Sequence, residues 1–136
     1  MIEGGLTGSY YTNRWFSGEA YQTRQDSEIN FNWGKGDLLE NVASNYVSIE
    51  WNGFIKPQHS EEFIFEAHFN DGLRLWVNDQ LLVDSLVDVE DDLLGNTIRS
   101  SPLSLIANKL VPIRIQYYEA TDSAFVKLKW ESASTP

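Results

Sequence analysis

The residue types available for covalent chemistry are few, and those suited to holding a hard cation are many. The chain has no cysteine, two histidines and twenty Asp and Glu. Without thiols there are no disulfides, thiolate nucleophiles, Cys-based zinc sites or iron–sulfur clusters. His59 and His68 stand in no serine-hydrolase or metalloprotease motif. Alternation with its neighbours puts His68 on the outer face of a strand. There is no glycine-rich phosphate loop, and among so many acids no pair singles itself out for glycoside hydrolysis. What remains is oxygen donors, and two places concentrate them. Asn70-Asp71-Gly72 sets two side-chain oxygens side by side at the end of an apolar run, before a glycine free to take positive φ. By composition alone this is a turn. The stretch 84–92 carries Asp84, Asp88, Glu90, Asp91 and Asp92. Leu86 stands where an EF-hand loop needs its third-position ligand, so the stretch reads as a solvated acidic loop.

The elements that must position these donors are strands. Ile29, Phe31 and Trp33 alternate with polar residues, as do Val47, Ile49 and Trp51. Phe63, Phe65, Ala67 and Phe69 share one face, followed by Leu73, Leu75 and Val77, then Leu81 and Val83. Val111, Ile113, Ile115 and Tyr117 precede Val126, Leu128 and Trp130. Period-2 patterning in short runs predicts half-buried strands, and Asn78-Asp79-Gln80 has the length of a hairpin connection. The best helical candidate, 37–44, is short. The pattern predicts an all-β antiparallel β-sandwich with few or no short helices, with Trp33, Trp51 and Trp130 in its core.

At 136 residues and 42% hydrophobic composition, the chain is one domain's worth and can bury roughly two thirds of its unfolded surface. The strand pattern spans 1–131, and 132–136 has the small, polar composition of a linker's start. A formal charge of −10 without clustered Lys and Arg excludes nucleic acid as the expected partner and disfavours anionic membrane surfaces. Cations and neutral polar ligands suit it better. No apolar run reaches the ~18–20 residues of a membrane span, and the first ten residues do not read as a signal peptide.

Taken in order, these features resemble the PA-14 family of β-sandwich domains, named after the protective antigen of anthrax toxin and found in flocculins, adhesins and glycosidases. The resemblance runs through Gly5-Leu6, Tyr10-Tyr11, Asp26 and Trp51-Asn52-Gly53-Phe54-Ile55-Lys56-Pro57. Its centre is Asn70-Asp71-Gly72-Leu73-Arg74-Leu75-Trp76-Val77-Asn78, and it closes on Pro112-Ile113-Arg114-Ile115, Tyr118-Glu119 and Leu128-Lys129-Trp130.

The resemblance implies a non-catalytic, calcium-dependent carbohydrate-binding module of a larger secreted or cell-surface protein. In sugar-binding members, an aspartate pair on one loop and oxygens on a second loop hold Ca²⁺, and sugar hydroxyls complete its shell. Carried over, Asn70, Asp71 and Glu119 become metal ligands, with carbonyl oxygens of Thr121 and Ser123. Trp15, Phe16, Tyr118 and Asp122 become candidates for contact with the sugar. The pair here reads Asn-Asp, so one charge is lost. Glu119 stands where flocculins carry Asn, and either restores that charge or pairs with Arg74 or Arg114. The aromatic that members carry after the hairpin is missing near Leu86. The competing expectation is a structural or protein–protein interaction module with the same fold and no ion.

Overall fold

The computed structural model describes residues 2–11, 16, 18–34, 47–70, 72–85, 96–119 and 124–134. Among them are eleven strands and no helix: β1 (Ile2–Tyr11), β2 (Gln22–Asp26), β3 (Asn30–Gly34), β4 (Val47–Ile55), β5 (Glu61–Asn70), β6 (Gly72–Val77), β7 (Gln80–Ser85), β8 (Asn96–Arg99), β9 (Leu103–Leu105), β10 (Val111–Glu119) and β11 (Ala124–Glu131). They form two antiparallel sheets, ordered β2-β1-β4-β10-β6-β7 and β3-β11-β5-β8, with β9 also paired to β5. The expected all-β sandwich is what the chain forms. The candidate helix 37–44 lies outside the described residues.

Alternation explains the packing. Val47, Ile49, Trp51, Phe63, Phe65, Ala67, Phe69, Leu73, Leu75, Val77, Ile113, Ile115 and Val126 all point into the space between the sheets. Trp51 is fully buried, stacked on Phe31 at 5.9 Å and met edge-on by Tyr10 at 6.3 Å. Trp130 is half-buried against the same core, while the Trp33 side chain lies outside the described residues. Leu81 departs from the pattern. The β6–β7 register shifts between Leu75 and Trp76, so Val83 stays inside (2% exposed) and Leu81 turns out (47%). A bulge displaces one residue from the alternation, and period-2 reading cannot see it. The hairpin expected at Asn78-Asp79-Gln80 is present, with φ of 53° and 64° at Asn78 and Asp79. Positive φ at both central positions matches the twist of the flanking strands.

A buried carboxylate ties the sheet edge to this core. Asp26 Oδ2 accepts from the Tyr10 hydroxyl (2.9 Å) and from Trp51 Nε1–H (2.8 Å). Arg24 donates to the same hydroxyl, and its guanidinium lies 3.8 Å from Asp26 Oδ1. Burial, and then the Asp26 charge, push the Tyr10 phenol well above its ordinary value against the opposing charge of Arg24, so Tyr10 stays a donor. Gly8 makes room for the group. A Cβ there would sit 2.8 Å from Trp51 Nε1 and 2.9 Å from Asp26 Oδ2.

On the outer face of the larger sheet Glu50 gathers donors. It accepts from Gln116 Nε2 (2.7 Å), Asn52 Nδ2 (3.1 Å) and both Nε and Nη2 of Arg114 (3.2 and 3.0 Å). Burial pushes its carboxyl up, but the bonds from Gln116, Asn52 and Arg114 outweigh that and hold it below its ordinary value.

Asp26→Ala leaves two buried donors without an acceptor and should lower unfolding free energy by about 2–4 kcal/mol in a urea titration, with Gly8→Ala destabilising through overpacking by about 1–3 kcal/mol. Because the folded pKa of Glu50 is depressed, its stabilisation is complete above the ordinary value of 4.5 and is lost as pH falls through the lower folded value. Glu50→Gln should therefore show a shallower loss of melting temperature on acidification than the parent.

Candidate functional site

Register places four sheet-to-sheet passages at one end of the sandwich. The smaller sheet's Gly34 and Asn70 pair with Ala124 and Phe125, and the larger sheet's Val47 and Gly72 pair with Glu119 and Tyr118. Ser85 pairs with Leu73 and Asn96 with Phe69. The strand ends flanking 35–46, 71, 86–95 and 120–123 are thus gathered together. Since β6 neighbours β10 and β5 neighbours β11, the passages at 71 and at 120–123 are adjacent. Ile2 and Glu131 lie at the opposite end, paired with Ile55 and Ile64.

One side chain spans the sheets where these two passages meet. Tyr117, buried on β10, donates its hydroxyl to the backbone carbonyl of Asn70 on β5. The residue before the turn is thereby fixed to the strand that leads into the second loop. Asn70 itself is only 3% exposed. The sequence pattern marked Tyr117 as core and missed this role. The available signal was an inward-facing Tyr two residues before a loop, since a buried phenol needs a polar partner.

Beside this junction a row of residues crosses the larger sheet. Tyr11, Ser48, Tyr118 and Gly72 are successive register partners on β1, β4, β10 and β6. The chain returns over this row at Phe16, whose backbone N–H donates to Ser48 Oγ (3.2 Å) and whose ring meets Tyr11 edge-on at 6.5 Å. Phe16 has φ of 56°, a left-handed conformation that costs a side-chain-bearing residue roughly 1–2 kcal/mol. The contacts with Ser48 and Tyr11 hold it there.

The structure brings together Asn70, the β10 end carrying Tyr118 and Glu119, and Phe16. Tyr118 is 3% exposed, which leaves little of its ring for a sugar to stack on. Of Glu119 the backbone is described and the side chain is not. Trp15, Asp71, Thr121, Asp122 and Ser123 lie outside the described residues, as does the acidic stretch after Ser85. Both arginines considered as partners of Glu119 have other carboxylates: Arg74 pairs with Asp84 at 2.9 Å and Arg114 with Glu50 at 3.0 Å. By sequence, positions 70, 71, 119 and 121–123 carry amide, carboxylate and hydroxyl oxygens, donor types that suit a hard cation such as Ca²⁺.

Two antiparallel sheets with their passages clustered at one end make the described residues a β-sandwich with one loop-bearing pole. The chain belongs to the PA14 domain family, whose model matches residues 3–135. It is 35% identical over 130 residues to the anti-sigma-I factor RsgI3 of Acetivibrio thermocellus, covering 96% of this chain and 19% of that protein. It superposes on an anti-sigma factor domain-containing protein from Clostridium clariflavum with a TM-score of 0.85 and 34% identity, over 97% of this chain and 43% of that one. The PA14 sugar-binding domain of an RTX adhesin shares the fold, with a TM-score of 0.73 and 16% identity over 97% of this chain and 92% of that one. The chain therefore spans less than half of either anti-sigma relative.

Tyr117→Phe removes the side-chain bond between the sheets at the junction. The expected result is a loss of about 1–2 kcal/mol in chemical denaturation. Hydrogen exchange should accelerate at Asn70 and Gly72 while the strands near Ile55 and Ile64 keep their protection.

Proposed function

We propose that this chain is a non-catalytic carbohydrate-binding module of a larger extracellular or cell-surface protein, and that it engages sugar hydroxyls through a Ca²⁺ ion. The observation that carries the reading is the adjacency of the two passages at 71 and 120–123, joined by the Tyr117–Asn70 bond. Asn70 and Asp71 would hold the ion from one side and Glu119 from the other, with carbonyl oxygens of Thr121 and Ser123. Ca²⁺ takes ~6–8 oxygens, so places stay open for vicinal hydroxyls of a sugar. Two side-chain charges, from Asp71 and Glu119, make a weaker site than three would.

The relatives add context. A sugar-binding domain from an adhesin shares this fold, and an anti-sigma factor shares a third of the sequence. Both fit a module that recognises a glycan on behalf of the rest of its chain, in an anti-sigma-type protein as the sensing part. A second reading is favoured by Asn70: with one carboxylate replaced by an amide, the domain serves as a protein–protein interaction module that has kept the fold and lost the ion.

Thermal melting with calcium and with chelator separates the two. Binding to the native state alone should raise stability by about 2.7 kcal/mol at a hundredfold excess of Ca²⁺ over Kd. Asp71→Ala should abolish the gain, and Asp91→Ala in the acidic stretch should retain it. On a glycan array, binding should require calcium, and no reducing sugar should be released from bound polysaccharide. A melting temperature indifferent to millimolar calcium would leave the interaction module standing.

A further inference from the structure

The outer face of the larger sheet has a feature that the junction does not use. Near the end opposite the passages it holds an open cleft of about 460 Å³, lined among others by Asn52, Phe54, Trp76, Asp79, Pro112 and Arg114. Register sets its shape. Phe54 on β4 pairs with Pro112 on β10, and one step further Asn52, Arg114 and Trp76 pair in a row across β4, β10 and β6. The compact Pro112 ring lies low between taller neighbours, and the strands bearing Phe54 and Trp76 are about 10 Å apart, two strand spacings.

We propose that this cleft is a second carbohydrate site, one that takes a neutral pyranose chain without any ion. Aromatic rings attract the C–H-bearing faces of sugar rings because the ring face is electron-rich and the contact removes apolar surface from water. Phe54 presents such a ring 49% exposed. Trp76 is half-buried and held: the Arg114 guanidinium lies 4.6 Å from its ring centroid and is itself anchored by Glu50. A ring fixed before the ligand arrives loses little freedom on binding. Around it the exposed Asn52, Arg114 and Asp79 offer both donors and acceptors, the mixture hydroxyls need.

Charge selects the class of glycan. Among the described residues the one cation lining the cleft, Arg114, is already paired with Glu50, Asp79 adds a negative charge at the rim, and the whole chain carries −10. An acidic glycan would meet a repulsive field, whereas a neutral one is indifferent to it. Six steps along β4 lead from Ser48, in the row beside the junction, to Phe54, which places the cleft about 20 Å along the strand from that row. The two sites can be tested apart.

The test is calorimetric titration of the 136-residue chain in EDTA with cellohexaose, xylohexaose and mannohexaose, and with trigalacturonate as the anionic counterpart. At least one neutral hexasaccharide should bind with a change in tryptophan fluorescence. Trp76→Ala and, separately, Phe54→Ala should each weaken it roughly tenfold, and Asp71→Ala should leave it unchanged. The pair of variants guards against one of them failing to fold. Three outcomes overturn the proposal: no neutral hexasaccharide binds at millimolar concentration, affinity survives both aromatic substitutions, or trigalacturonate binds more tightly. Self-association that both substitutions abolish, without sugar binding, would assign the cleft to a second copy of the chain instead. Loss of calcium binding at the junction with retained binding in EDTA would sink the ion reading alone.

Discussion

A carboxylate with little access to water organises one side of this sandwich. Isolated, a buried charge is prohibitively unfavourable; surrounded by donors it becomes a point from which geometry is specified. Asp26 ends the edge strand β2, and its partners come from three places: Tyr10 on β1, Trp51 on β4 and Arg24 on β2 itself. Satisfying all three requires that β1 pass close over the indole, which only Gly8 permits. The indole in turn sets the plane against which Phe31 stacks from the facing sheet. The packing of Trp51 against the facing sheet and the need for glycine at position 8 thus depend on a single acidic side chain.

The fold was legible because its information is local. Phe63, Phe65, Ala67 and Phe69 alternate without interruption, and a half-buried strand is the arrangement that buries them together. Where the structure departs, at Leu81, the cause is a slip between two strands, a property of a pair that neither strand's own pattern contains. The site was legible differently. Composition marked Asn70-Asp71-Gly72 as a turn and the family resemblance supplied the loop after Tyr118, but their adjacency depends on β5 lying next to β11 and β6 next to β10, relations between residues about fifty positions apart. Tyr117 was hidden for the same reason. In sequence it is another apolar residue in phase, and only the facing sheet supplies the carbonyl that makes its hydroxyl matter.

The molecule separates its tasks by geometry. Between the sheets, the described residues are packed and almost wholly apolar, apart from the Asp26 group and the Tyr117 bond. Outside, polar side chains of neighbouring strands of the larger sheet are cross-linked through Glu50. The passages at one end are then free to differ in sequence among relatives without disturbing either layer, as expected where a rigid scaffold carries variable loops.

The placement of Ile2 and Glu131 has a mechanical consequence. Both lie at the same end, one on β1 in the larger sheet and the other on β11 in the smaller. A tension that draws these two residues apart would pull across the strands, not along them. It would open β1 from β4, and β11 from β5, one hydrogen-bonded pair at a time, each break preparing the next. A sandwich gripped at opposite poles resists with a whole ladder in shear; this one would yield at the force of its weakest rung. Under traction the domain behaves as a compliant link, and the gathered passages at its far end would be the last part to feel the load.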